Sequence, residues 1–256
     1  MEIFSLANGE FLKGNFSKAI DLLVSLLGAN PDGSTGQTEN NKDELFLSHV
    51  HEKLGLIYQK LDLFQKALEH FIKALEIRFK TCSKGHEDVI SVRINISEVK
   101  ISLAQFDQAE KELLEIASIL HHHNKENEEI YARLLTALGL IYIKKGKFEQ
   151  GIEVLTQALN IMKEKHKEES PESIRVFLRL GKAYYCRAQY EDSRSYLIKA
   201  ENLVYKCLGK DHYEMVFINN DFGILHYELA EYKQATEIFE KNLKLAKRHF
   251  GENHSS

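Results

Sequence analysis

The sequence predicts an all-α solenoid built from antiparallel helix pairs. Three observations carry this. Small residues recur every 42 positions, at Gly55, Ser97, Gly139, Gly181 and Gly223. A fixed period of roughly 20–50 residues marks a repeat array. Other offsets keep step with this small slot. A large apolar residue stands one place before it (Leu54, Ile96, Leu138, Leu180, Phe222) and an aromatic nine places after it (Phe64, Phe106, Phe148, Tyr190, Tyr232). A small residue follows twelve places after (Ala67, Ala109, Gly151, Ser193, Ala235) and a large apolar one sixteen after (Phe71, Leu113, Leu155, Leu197, Phe239). Within each half, apolar positions fall three and four apart, the helical period and not the strand period of two. A single pair cannot bury its own apolar face, so stacking of pairs creates the core.

In chain order, the first element is a partial repeat over residues 1–27. Leu6, Ala7, Phe16, Ala19 and Leu23 reproduce the offsets −1, 0, +9, +12 and +16. Ala7 precedes Gly55 by 48 residues, six more than the period. The insertion falls at 28–43, where Gly28, Asn30, Pro31, Gly33 and Gly36 read as a flexible loop. Residues 44–256 then hold five 42-residue repeats, and the whole chain reads as a single array. In each repeat the small slot lets the two helices cross closely, and the aromatic opens the second helix. The second repeat diverges, with Ser97 in place of Gly and Lys100 at the offset of Tyr58, Tyr142 and Tyr184, and the fifth carries His226 at that last offset. The register places both prolines, Pro31 and Pro171, in loops.

Composition narrows the function classes. The chain has 256 residues, 43% hydrophobic and 28% charged, the balance of an ordinary globular helical protein. Its net charge of −4 argues against bulk affinity for nucleic acid. No basic-then-apolar start marks a signal peptide, and no apolar run reaches the ~18 residues of a membrane span. Cys82, Cys186 and Cys207 are odd in number and scattered, which suggests free thiols in a reducing compartment. The expected setting is the cytoplasm, including a cytoskeletal or ciliary one.

The run Gly55-Leu56-Ile57-Tyr58, then Phe64-Gln65-Lys66-Ala67, Phe71 and Ala74, resembles the tetratricopeptide repeat. The 42-residue period is similar to that of kinesin light chain repeats. So are the loops Lys84-Gly85-His86-Glu87-Asp88, Ser170-Pro171-Glu172, Gly209-Lys210-Asp211-His212 and Gly251-Glu252-Asn253-His254. The resemblance covers nearly the whole chain. It implies a right-handed superhelix that serves as a non-catalytic protein–protein interaction scaffold, with the first helix of each repeat lining a concave groove.

On that implied groove, the inward positions lie six, three and two before the slot, or one and four after it. They are Arg133, Thr136, Ala137, Leu140 and Ile143 in the third repeat, and Arg175, Leu178, Arg179, Lys182 and Tyr185 in the fourth. Arg175, Arg179 and Lys182 are spaced i, i+4, i+7 and share one helix face. Arg presents a planar fork suited to carboxylates, so an acidic or acidic-hydrophobic peptide or helix is the expected partner. Asn219 and Asn220 in the fifth repeat, and Asn95 in the second, resemble light-chain asparagines that hold a peptide backbone. Glu52 and Glu98 on the same side would neutralise part of the basic charge. A second expectation is a structural subunit that docks through its ends. There Phe239, Leu243 and Phe250 on the last helix form a candidate interface, and self-association is one outcome.

Catalytic and cofactor chemistry finds no support in the sequence. His121-His122-His123 are adjacent imidazoles that do not converge on a metal, and no cysteine spacing completes a zinc pattern. His86, His212 and His254 occupy equivalent loops and read as residues at helix starts, with Glu87 and Asp88 suiting the helix dipole. There is no phosphate-cradling loop, no metalloprotease motif and no nucleophile elbow. No cofactor is expected.

Overall fold

The computed structural model describes residues 2–28, 37–122, 128–165 and 167–251. Among these it contains helices only: α1 (Glu2–Leu12), α2 (Phe16–Gly28), α3 (Gln37–Lys60), α4 (Phe64–Thr81), α5 (Glu87–Ser102), α6 (Phe106–His122), α7 (Glu128–Lys144), α8 (Phe148–Glu164), α9 (Pro171–Cys186), α10 (Tyr190–Cys207), α11 (Glu214–Glu228) and α12 (Tyr232–Phe250). Helix α3 begins at Gln37, inside the span 28–43 assigned to an inserted loop, while residues 29–36 lie outside the described residues. Pro171 is not in a loop but is the first residue of α9, where a missing N–H costs no helical bond. Pro31 lies outside the described residues.

The chain divides into two compact units, Met1–Glu126 and Asn127–Ser256. In the first, α1 pairs with α2, α3 with α4 and α5 with α6; in the second, α7 pairs with α8, α9 with α10 and α11 with α12. Each pair also packs on the next within its unit, as α4 does on α5 and α8 on α9. The first unit buries a core of Ala67, Phe71, Ala74, Val92, Ile96 and Val99. In the second, Leu155, Ala158, Met162, Val176, Leu180 and Ala183 form one cluster. Ile174, Phe177, Leu203, Val204 and Met215 form another.

The small slot works by contact with the +16 residue of its own repeat. A Cβ on Gly55 would stand 2.6 Å from the Phe71 ring, on Gly139 2.5 Å from Leu155, and on Gly181 3.1 Å from Leu197. Gly223 faces Phe239 in the same way. The two offsets that sequence pairs at a distance of sixteen are thus one helix crossing. Ser97 fills the slot in the second repeat by turning its hydroxyl back onto its own helix, where it donates to the Arg93 carbonyl at 3.0 Å.

The turn between the helices of a pair also repeats. The residue seven after the slot has positive φ in every pair: Gly14, Asp62, Ala104, Gly146, Ala188 and Ala230. The next residue's N–H donates back to the carbonyl three after the slot, as from Lys147 to Tyr142 at 2.8 Å and from Gln189 to Tyr184 at 2.9 Å. This is the Schellman closure of a helix C-terminus. The following residue in each repeat is the aromatic, which opens the second helix in every pair.

Candidate functional site

The first helices of the second unit lie side by side, with α9 between α7 and α11. Arg175, Arg179 and Lys182 are half-buried along α9, and Arg133 and Leu140 are half-buried on α7. Arg179 Nη1 donates to the Thr136 carbonyl at 2.6 Å and so bridges α9 to α7. Thr136 is buried, and its hydroxyl donates to the Ala132 carbonyl at 2.6 Å, so its side chain is spent within its own helix. Leu178 packs on the cluster containing Ile174, Phe177 and Leu203. Lys182 Nζ sits 4.7 Å over the ring of Tyr185. The Tyr185 hydroxyl donates to Glu228 on α11 at 3.0 Å. Burial and that hydrogen bond push the phenol up to about 12. Asn220 is half-buried on α11.

The structure adds a residue that sequence reasoning passed over. Asp221 on α11 shares a narrow crevice with Gly181, Lys182, Tyr185, Ser193 and Ile224. Burial pushes its carboxyl up to about 6, against the opposing pull of Lys182. The signal was available: Asp221 holds the same offset from its slot, −2, as Arg179 does. Nearby, burial raises the Tyr213 phenol well above its ordinary range, and Arg175 opposes that shift.

The first unit treats its polar inner residues differently. Glu52 accepts from Arg78 Nη2 at 2.7 Å. Arg78 is 1% exposed and also donates to Ser48 Oγ at 3.2 Å and to the Asp88 carbonyl at 2.8 Å. Asn95 donates to Glu52 at 3.2 Å. Glu52 and Asn95 therefore belong to a buried polar knot joining α3, α4 and α5, in which Glu52 is held by Arg78. Glu98 is buried, at 7% exposure.

The last pair presents an apolar surface. Tyr227 and Tyr232 are each 59% exposed, Leu243 56% and Phe239 37%, whereas the equivalents of Phe239 in the preceding pairs, such as Phe71 and Leu155, are fully buried. Phe250 turns instead to the start of α11, where it packs edge-on against Tyr213, just before the helix, and Phe217 within it, with centroids 6.4 and 6.1 Å apart. His86 Nδ1 accepts from the Asp88 N–H and His212 Nδ1 from the Glu214 N–H, each at 3.2 Å, so both close a helix start. His254 and His123 lie outside the described residues. His121 is exposed in the last turn of α6, and among the described residues no group of three or more His, Cys, Asp or Glu is placed to hold a metal. The three cysteines are free thiols. No helix among the described residues is long and apolar enough to cross a membrane.

These repeats, slots and turns define a class, and comparison names it. Residues 46–120, 131–206 and 220–256 match the tetratricopeptide repeat, and the chain belongs to that family. No curated protein matches it in sequence. Among solved structures, the nearly identical TPR-like repeats of a Podosopora anserina kinesin light chain share 18% identity over 80% of this chain and 97% of that one, with a TM-score of 0.52. The Rap conjugation gene regulator of plasmid pLS20, solved with the Phr* peptide, aligns over 96% of this chain and 62% of that one at 16% identity and a TM-score of 0.74. NprR, solved with its cognate peptide NprX, aligns over 96% and 67% at 13% identity and a TM-score of 0.71. At such identities the likeness is one of fold.

Proposed function

We propose that this protein is a non-catalytic interaction scaffold that holds an acidic or acidic-hydrophobic peptide segment of a protein partner against the α7–α9–α11 face. The observation that carries the reading is the row of half-buried cations Arg133, Arg175, Arg179 and Lys182 on adjacent first helices. Arginines part-way out of water meet carboxylates more strongly than fully exposed ones, because screening falls with burial. Leu140 and the Tyr185 ring supply apolar contact beside the charges. Two proteins of similar fold were solved with bound peptides, which supports a peptide as the kind of ligand. The proposed setting is the cytoplasm.

The test is fluorescence anisotropy with a synthetic set of dodecapeptides graded from basic to acidic, using wild type and an Arg133→Glu/Arg175→Glu/Arg179→Glu variant of unchanged helicity. The expected result is binding of acidic-hydrophobic peptides that weakens at least about tenfold in the variant and with added salt. Equal binding by both proteins would sink the reading. The second reading, a structural subunit, would then lead, because the exposed Tyr227, Tyr232, Phe239 and Leu243 form the docking face it needs.

A further inference from the structure

We infer that the ligand of the α7–α9–α11 face carries both signs of charge: acidic groups that meet Arg175, Arg179 and Lys182, and beside them a cation that meets Asp221. The cation is a lysine or arginine side chain. The inference rests on the reading of this face as the peptide site and specifies what that site selects.

The charges on the face are divided by helix. At the inward offsets α7 and α9 contribute Arg133, Arg175, Arg179 and Lys182, and no acid. At the same offsets α11 contributes Phe217, Asn220, Asp221, Ile224 and Tyr227, with one carboxylate and no cation. A uniformly acidic ligand that lies across α9 and continues over α11 would therefore run from cations onto Asp221.

The carboxylates nearby differ in what they already hold. Glu228 accepts the Tyr185 hydroxyl at 3.0 Å. Glu214 is hydrogen-bonded to Tyr213. Among the described residues Asp221 makes no hydrogen bond and no ion pair. Lys182 shares its crevice, but the Lys182 ammonium stands over the Tyr185 ring. A half-buried carboxylate without a donor has lost hydration, and the attraction of the Lys182 ammonium offsets only part of that loss. A ligand cation placed there regains a charge-assisted hydrogen bond, one of the stronger polar contacts available to a peptide. Lys182 and Asp221, which line one crevice, thus offer a ligand both signs and read the order of its charges as well as their sum.

The experiment uses the full chain and four fluorescein-labelled, N-acetylated decapeptides of equal apolar content. One carries four glutamates; two carry the same glutamates with one lysine placed toward either end; one is neutral. Binding is measured at pH 7.5 with wild type, Asp221→Asn and Arg175→Gln/Arg179→Gln, each checked by circular dichroism. The expected result is that one of the two lysine-bearing peptides binds wild type about tenfold more tightly than the all-acidic one, and that Asp221→Asn brings the two within about twofold. Asp221→Asn is close to isosteric and removes a desolvated charge, so it preserves the fold. If the all-acidic peptide binds at least as well as both lysine-bearing ones, the inference is overturned. It is also overturned if Asp221→Asn strengthens every peptide alike, which would make Asp221 a counterion of Lys182 and nothing more. Either result with binding lost in the arginine variant leaves the basic face standing. If no peptide binds, or if the arginine variant binds as wild type does, both readings fall together.

Discussion

His51 and His70 face one another across α3 and α4, their Nδ1 atoms 2.9 Å apart. Tyr58 covers His70 with ring centroids 5.4 Å apart. One Nδ1 must donate and the other accept, so the accepting ring must be neutral and the contact is lost when both rings are protonated. Burial lowers His51, with Lys73 adding to it; burial, then His51 and Lys73, hold His70 at about 4. Both folded values lie below the ordinary histidine value near 6.5. The stability of the neutral pair is therefore fully present above about pH 6.5 and is lost as pH falls through the folded values toward 4. Both rings are half exposed, so solvent screens much of the effect. Thermal melts should show the melting temperature falling between pH 6.5 and 4.5, and His70→Gln should flatten that fall. Parallel curves for the two proteins would place the acid sensitivity elsewhere.

At the scale of the element, the turn inside each pair sets the angle at which two helices meet. The left-handed residue at its apex is Gly in two pairs, Asp in one and Ala in three. An L-residue there brings Cβ against the following carbonyl and costs about 1 kcal/mol or more, which glycine avoids. The alanines at 104, 188 and 230 therefore carry local strain that the Schellman hydrogen bonds and the packed pair hold in place. Ala188→Gly should stabilise the second unit by about 1 kcal/mol, raising its melting temperature by about 2–4 °C, and Gly146→Ala should lower it by a similar amount. Differential scanning calorimetry of the two variants checks the signs, and a fall for Ala188→Gly would mean that the alanine methyl packs usefully enough to outweigh its strain. The same element shows where sequence reading reaches and where it stops. The slot and the +16 residue are legible because a close helix crossing restricts residue size. The turn is not, because Gly, Asp and Ala all adopt it and only the backbone repeats.

For the molecule as a whole, period made the fold legible and uniqueness hid the chemistry. A repeat search finds what recurs, so it found the slot, the aromatic that opens each second helix, and the row of arginines at a shared offset. It is blind to a residue that occurs once. The Arg78 knot is such a case, whereas Asp221 sits at an offset the register does mark and was hidden only by its opposite charge. At the offset of Arg78 the other repeats carry Leu120, Met162, Val204 and Ala246, all apolar. One repeat has replaced a core contact with a guanidinium that binds Ser48, Glu52 and the Asp88 carbonyl. Removing one member of a buried ion pair leaves the other charge uncompensated and typically costs about 3–5 kcal/mol. Each unit buries its own core, so such a lesion should be read out where it is made. Arg78→Met should therefore speed amide exchange across α3, α4 and α5 while the protection of α9 and α10 stays close to wild type. Adding Glu52→Leu should recover part of the loss. The double variant installs what other repeats use at these offsets, Met as at Met162 and Leu as at Leu178, and so exchanges an orphaned carboxylate for packing. If α9 and α10 lose protection as fast as α4 and α5, the chain unfolds as one cooperative body. If the double variant is weaker than Arg78→Met alone, the polar knot contributes more than the apolar contact it displaced.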